Sequence, residues 1–250
     1  MNHLHQRLSI IAAAVTALAA CGPGTAAATP TPEPRDAVVQ ALRSTAELDT
    51  VHALLRIELR DSGGQEYLVT IEGDVDVATR ELDVRAVIDP EVSGIEEARL
   101  VVVDGSVYSK AGDDAWSMSG GTGQDPLESV PTTARIAAAV EAALRDPATT
   151  IALEGSEACG AATCFKIRAE ITAEVAWRAV TEMFSTEGRP ADLTMPATFP
   201  GFAIDLWIEQ DTLRIRQATN TTAVEGQSIS ITVALSRHDE PVSIVAPVVP

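Results

Sequence analysis

The chain has 250 residues, 46% of them hydrophobic, and its 36 acidic against 18 basic residues give a net charge of −18. It is long and apolar enough for one sizeable core, and too acidic to hold nucleic acid or anionic lipid headgroups through charge. The acids are otherwise accounted for as solubilising surface.

Residues 1–20 read as an export signal. Arg7 is the only fixed positive charge ahead of an apolar run from Leu8 to Leu18. About eleven residues suit a signal core and fall short of the ~20 that a spanning helix needs. The run ends in Leu18-Ala19-Ala20-Cys21-Gly22, which resembles the bacterial lipobox, where small residues precede a cysteine that becomes diacylated. An ordinary secretory signal with an incidental cysteine is the alternative. No later segment reads as long and apolar enough to span a bilayer, so an acylated Cys21 is the expected membrane attachment, two acyl chains holding far more firmly than one. Residues 21–34 are rich in Pro, Thr and Ala, lack periodicity and read as an extended tether. The folded domain is expected over 35–250.

Pro34 stands where a helix can begin, and Val38, Ala41 and Leu42 supply one apolar face. Strict alternation follows. Val51, Ala53, Leu55, Ile57 and Leu59 share one face, with Arg56, Glu58 and Arg60 on the other. Tyr67, Val69, Ile71, Val75 and Val77 repeat the pattern, as do Leu82, Val84, Ala86 and Ile88. Asp104-Gly105 between apolar runs signals a hairpin with a type I′ turn. Further alternating runs begin at Phe165, Phe202 and Ile229. Period two of this kind means antiparallel strands with one wet and one buried face.

Two helices interrupt the strands. From Thr132 to Arg145, one stripe holds Ile136, Val140, Ala143 and Leu144, and Pro147 closes it. Thr172 is placed to cap the next, whose stripe is Ala176, Val180, Met183 and Phe184, ending near Gly188. Of the three cysteines, Cys159 and Cys164 remain for pairing once Cys21 is acylated. They flank a tight hairpin, so a structural disulfide is expected. A metal site is weakly supported there, because the spacing is not CxxC and no histidine lies nearby.

The expected fold class is α+β: a strongly curved antiparallel sheet, a half-barrel, with about three helices on its concave face. Nine or ten strands of about seven residues give a sheet face of ~1,000 Å². A helix of ~14 residues shields about 200 Å², so three helices cover little more than half. The rest must curl on itself, pair, pack under loops or hold an apolar ligand; a fully packed core is the alternative. Inward candidates for ligand contact are Leu55, Ile57, Val69, Ile71, Val84 and Ile231 on the sheet, and Ile136, Val140, Leu144, Val180 and Phe184 on the helices.

Several segments in order resemble a known family. A helix, a meander, Asp104-Gly105 with Tyr108, and Trp116 after an acidic turn come first. Pro131-Thr132-Thr133 and its helix come next, then Phe202 to Ile208 ending in Leu-Trp-Ile. Last is Ser230 to Val242, containing Thr232, Leu235-Ser236 and Glu240-Pro241-Val242. Together they look like the actinobacterial LppX/LprG-type envelope lipoproteins, whose domains share a LolA/LolB-like half-barrel. The likeness spans about Arg35 to Val245 and rests on order, each motif alone being weak. It implies carriage of an acylated lipid or glycolipid in a cavity under the helices. The cysteine pair and the strong acidity depart from the family pattern.

Catalytic signatures are missing: no GxSxG, HExxH or GxxxxGK[ST] occurs. Asp74-Val75-Asp76 begins like a calcium loop, but Ala78 takes the third ligand position. His52 lies on a polar strand face, and His238 sits beside Asp239 and Glu240 in a turn. No cofactor is expected. The expected role is a non-enzymatic, membrane-anchored lipid binder facing the extracytoplasmic side, with an interaction or scaffolding lipoprotein as the alternative and any protein partner unnamed.

Overall fold

The computed structural model describes residues 32–92, 95–120, 133–184, 195, 199–224 and 227–249. The chain runs through α1 (Pro34–Ala46), β1 (Thr50–Arg60), β2 (Glu66–Asp76), β3 (Glu81–Val92), β4 (Ile95–Val103), β5 (Ser106–Ala111) and β6 (Ser117–Gly120). It continues through α2 (Thr133–Arg145), β7 (Thr150–Cys159), β8 (Ala162–Ile171), α3 (Ala173–Phe184), β9 (Phe202–Glu209), β10 (Ile215–Val224) and β11 (Gln227–Ser236).

All the strands join one antiparallel sheet ordered β6-β5-β4-β3-β2-β1-β11-β10-β9-β8-β7. Two meanders therefore meet at the β1–β11 seam, and the sheet stays open as a half-barrel. This is the α+β architecture that the alternation implies, with eleven strands among the described residues in place of nine or ten. The short β6, Ser117-Met118-Ser119-Gly120, carries too little apolar periodicity to be read as a strand.

Register puts the apolar residues in rungs. Leu55 faces Ile71 on one side and Val233 on the other; Ile57 faces Val69 and Ile231. The rung through Ile71 continues to Ala86, Ala98 and Ala111. Asp104 (φ 51°) and Gly105 (φ 69°) both take positive φ, as a type I′ turn requires. Gly73 marks the tightest approach of two strands. A Cβ there would lie 2.0 Å from the Asp83 carbonyl oxygen and 2.7 Å from Val84 Cα, both backbone atoms.

The helices form one layer over the second meander. α1 touches β7, β9 and β10, and α2 touches β8. Beneath them, Ala37, Val38 and Ala41 pack with Leu144, Ile167, Ala169, Leu206 and Ile208 as the main core. Ala143, Ile171, Val175 and Ala176 form a second cluster beside Phe199 and Phe202. Trp177 meets Phe199 edge to face at 5.0 Å.

Polar contacts fix the layer. Arg35 Nη2 donates to Thr149 O at 2.6 Å and Nη1 to Leu144 O, so α1 satisfies carbonyls left free at the end of α2. The buried Thr149 hydroxyl donates to Ala143 O at 2.7 Å. Arg178 of α3 pairs with Asp146 at 2.9 Å. Thr172 Oγ1 accepts from Val175 N at 3.5 Å, which is the anticipated cap. Gly188, the anticipated end of that helix, lies outside the described residues. Cys159 and Cys164 form a disulfide across the β7–β8 hairpin, with Cα atoms 5.8 Å apart.

Candidate functional site

Because the described helices stack on β7–β10, none of them covers the apolar face of β1–β5. There the sheet lines a cleft of about 600 Å³ with Ile71, Val84, Ala86, Ala98, Leu100 and Ala111. Arg99, Ser109, Lys110, Asp114 and Ser117 also line it, the two serine hydroxyls 3.2 Å apart. A second hollow of about 450 Å³ opens at the β1–β2 hairpin end, between Leu59, Tyr67, Thr222 and Ile229. Ile57, Val69 and Ile231 form the rung between these two hollows on the same face.

The opposite face is built differently. Arg99 grips Asp83 through Nε and Nη2 at 2.8 and 2.6 Å, and Arg85 pairs with Glu97 at 2.6 Å. The hydrogen bond from Arg85 holds the Glu97 carboxyl below its ordinary range. A larger hollow of about 730 Å³ involves this charged face, among Arg56, Glu58, Arg60, Glu66 and Asp89. Leu59, Tyr67, Leu68 and Pro90 also line it, but the ion pairs Arg56–Glu58 and Arg60–Glu66 make it far more polar than the first cleft. The first cleft is the better candidate despite its smaller volume.

The six sheet candidates fall on one face. Leu55 opposes Ile71 and Ile57 opposes Val69 across β1–β2, Ile231 opposes Ile57 across β1–β11, and Val84 opposes Gly73 across β2–β3. All six are half-buried. The helix candidates are not gathered with them. Leu144 is enclosed in the main core and Val140 packs against that core. Ile136 is 39% exposed at the start of α2. Val180 is half-buried on α3, and the Phe184 side chain lies outside the described residues. Ala86, Ala98, Leu100 and Ala111 also line the cleft, outside the sequence candidates. Their signal was register, since Ala98 and Ala111 lie on the rung of Ile71.

The polar groups that could carry chemistry have structural partners, His238 Nε2 excepted. His52 Nδ1 lies 2.8 Å from Asp74 and Nε2 3.1 Å from Glu72. Asp76 accepts from Thr79 N at 2.9 Å, so both acids of the calcium-like triplet serve the strand and its turn. His238 has a buried Nε2 with no partner among the described residues. Burial, then Arg216 and Arg214, push its pKa down. Among the described residues, no three His, Cys, Asp or Glu side chains converge as metal ligands, and no helix is long and apolar enough to cross a membrane. Trp116 lies 5.9 Å beneath both Arg99 and Lys110, and Trp207 lies 5.5 Å beneath Lys166.

Comparison with known proteins agrees with this architecture. The lipoprotein LppX of Mycobacterium tuberculosis is 18% identical and superposes with a TM-score of 0.54, over 84% of this chain and 97% of LppX. LprF of Mycobacterium bovis is 17% identical, with a TM-score of 0.57 over 87% of this chain and 98% of LprF. These likenesses establish the fold. No curated protein sequence matches the chain. The profile of the LppX_LprAFG lipoproteins matches residues 33–244, nearly all of the described domain, and the chain belongs to that lipoprotein family.

Proposed function

We propose that this protein is an envelope lipoprotein that binds and carries an acylated lipid or glycolipid on the apolar face of β1–β5, which no described helix covers. In this reading residues 1–20 direct export, Cys21 is acylated, 21–34 tether the domain, and 35–250 fold outside the cytoplasmic membrane. The role is non-catalytic, and the acidic surface keeps nucleic acid away.

The observation that carries the proposal is the cleft of about 600 Å³ bedded on Ile71, Val84, Ala86 and Leu100. Its volume lies within the ~300–1,000 Å³ of ordinary small-molecule sites, and its walls are mostly aliphatic. Each methylene moved from water onto such a bed contributes ~0.8 kcal/mol, so part of one acyl chain already gives useful affinity. Family membership supports the same reading.

Mass spectrometry of organic extracts tests it. Protein bearing Cys21→Ser, whose own acyl chains cannot contaminate the extract, should release a stoichiometric acylated lipid. A well-folded protein that yields none would favour the alternative, a lipoprotein whose apolar face meets another protein.

A further inference from the structure

The segment after β11 has no role in the cleft, and it leaves the domain from a firmly pinned root. Arg237 and Asp239 take positive φ, 49° and 58°. Asp239 N donates to Thr50 O at 3.0 Å, and Asp239 Oδ1 accepts from Asp49 N at 3.1 Å. Arg214 holds the other carboxylate oxygen at 2.6 Å, and the Thr50 hydroxyl donates to Glu240 O at 2.7 Å. Beyond this root, residues 241–249 adopt neither helix nor strand and carry no charged side chain.

Their sequence repeats every three residues. Pro241, Ile244 and Pro247 fall in one column; Val242, Val245 and Val248 fall in the next. Three residues per turn is the polyproline II repeat. Val242, Ile244 and Pro247 are half-buried and Pro241 is exposed, whereas Val245 is 69% and Val248 89% exposed, the two highest values among the exposed large hydrophobics. The family match ends at residue 244, so both exposed valines lie beyond it.

We propose that this arm is a second membrane contact, laying Val245 and Val248 on the bilayer that carries the Cys21 anchor and so fixing which way the domain faces. The inference rests on acylation of Cys21 and is independent of lipid carriage. Strand addition to a partner is disfavoured, because Pro241 and Pro247 remove ladder donors. Recruitment through charge is disfavoured, because the arm has none. The bilayer is within reach. The chain from residue 22 to 33 extends ~40 Å at most and the arm ~28 Å, while α1, which separates tether from root, is ~20 Å long. Without the Trp, Phe, Lys or Arg that free-standing interfacial segments use, the arm binds weakly alone, and the anchor supplies the local concentration. The net charge of −18 repels anionic headgroups, so the contact should be firmest on neutral lipid.

With Cys21 acylated and Cys159–Cys164 bonded, Val248→Cys is the single free thiol. The full acylated chain, labelled there with an environment-sensitive fluorophore, is placed in phosphatidylcholine vesicles containing a doxyl-lipid quencher. Ser62→Cys, in the turn at the far end of β1, serves as reference. Quenching should be several-fold stronger at 248, fall to the reference level with Val245→Asp, and weaken on phosphatidylglycerol vesicles until salt is added. Equal quenching at both positions, with the acyl mass confirmed, overturns the arm alone. Shielding of the label in anchor-free protein that grows with protein concentration also overturns it, and assigns the arm to a second copy. A chain without the acyl mass overturns the anchor itself, and the arm with it.

Discussion

Arg43 on α1 holds Glu141 on α2 by a two-point contact, Nε to Oε2 at 2.9 Å and Nη2 to Oε1 at 2.6 Å. Arg145 reaches the same carboxylate from the next turn of α2 at 2.9 Å. The hydrogen bond from Arg43, with that from Arg145, holds the Glu141 carboxyl below its ordinary range. A carboxyl with a lowered folded pKa stabilises the fold above its unfolded pKa, ~4.3, and loses that contribution as pH falls through the folded value. Acid titrations of thermal stability should therefore show a smaller acid-side loss for Glu141→Gln than for the wild type. Parallel curves would show that the contact contributes nothing to the helix layer.

Gly73 makes the curvature of the first meander testable. Its missing Cβ would meet the Asp83 carbonyl oxygen and Val84 Cα, both backbone, whereas a Cβ at Gly63 meets only the Asp61 side chain, at 3.2 Å. Overpacking of this kind costs ~1–3 kcal/mol, so Gly73→Ala should lower the melting temperature by several degrees while Gly63→Ala changes it little. Equal melting temperatures would mean that β2 and β3 separate without cost.

Much of this arrangement is legible in the residues, and the limits are physical. Alternation places Leu55, Ile57, Val69, Ile71 and Val84 on one face, because a strand has only two faces. Asp104-Gly105 identifies its own turn, because both positions take positive φ. Strand order is another matter. The β1–β11 pairing joins residues up to 184 apart in sequence, as His52 with Ser236, and no local pattern encodes it. The same gap hides where the helices sit. Val140 and Leu144 show an apolar stripe, but a stripe does not name the sheet half it covers, and that half is β7–β10. Ala98 and Ala111 are small enough to be passed over until register sets them beside Ile71.

The disulfide gives a direct covalent check. Cys164 is fully buried and bonded to Cys159. Non-reducing peptide mapping of protein from the envelope should give one linked peptide pair. Removing the bond with Cys159→Ser and Cys164→Ser should cost about 2 kcal/mol for so small a loop. Free thiols at both positions would contradict the pairing.

The central claim is that an acyl chain lies on β1–β5, away from the packed helices, and two tryptophan substitutions separate the cases. Ala86→Trp projects into the cleft, where there is room, while Val140→Trp enters the packed layer above β8 and β9. Lipid extracted per mole of protein and thermal melting are measured on both variants and the wild type. The account predicts that Ala86→Trp loses its lipid at a near-normal melting temperature, and that Val140→Trp keeps its lipid but loses ~1–3 kcal/mol of stability. Full lipid occupancy in Ala86→Trp, with lipid lost in Val140→Trp, would put the ligand under the helices and contradict the account.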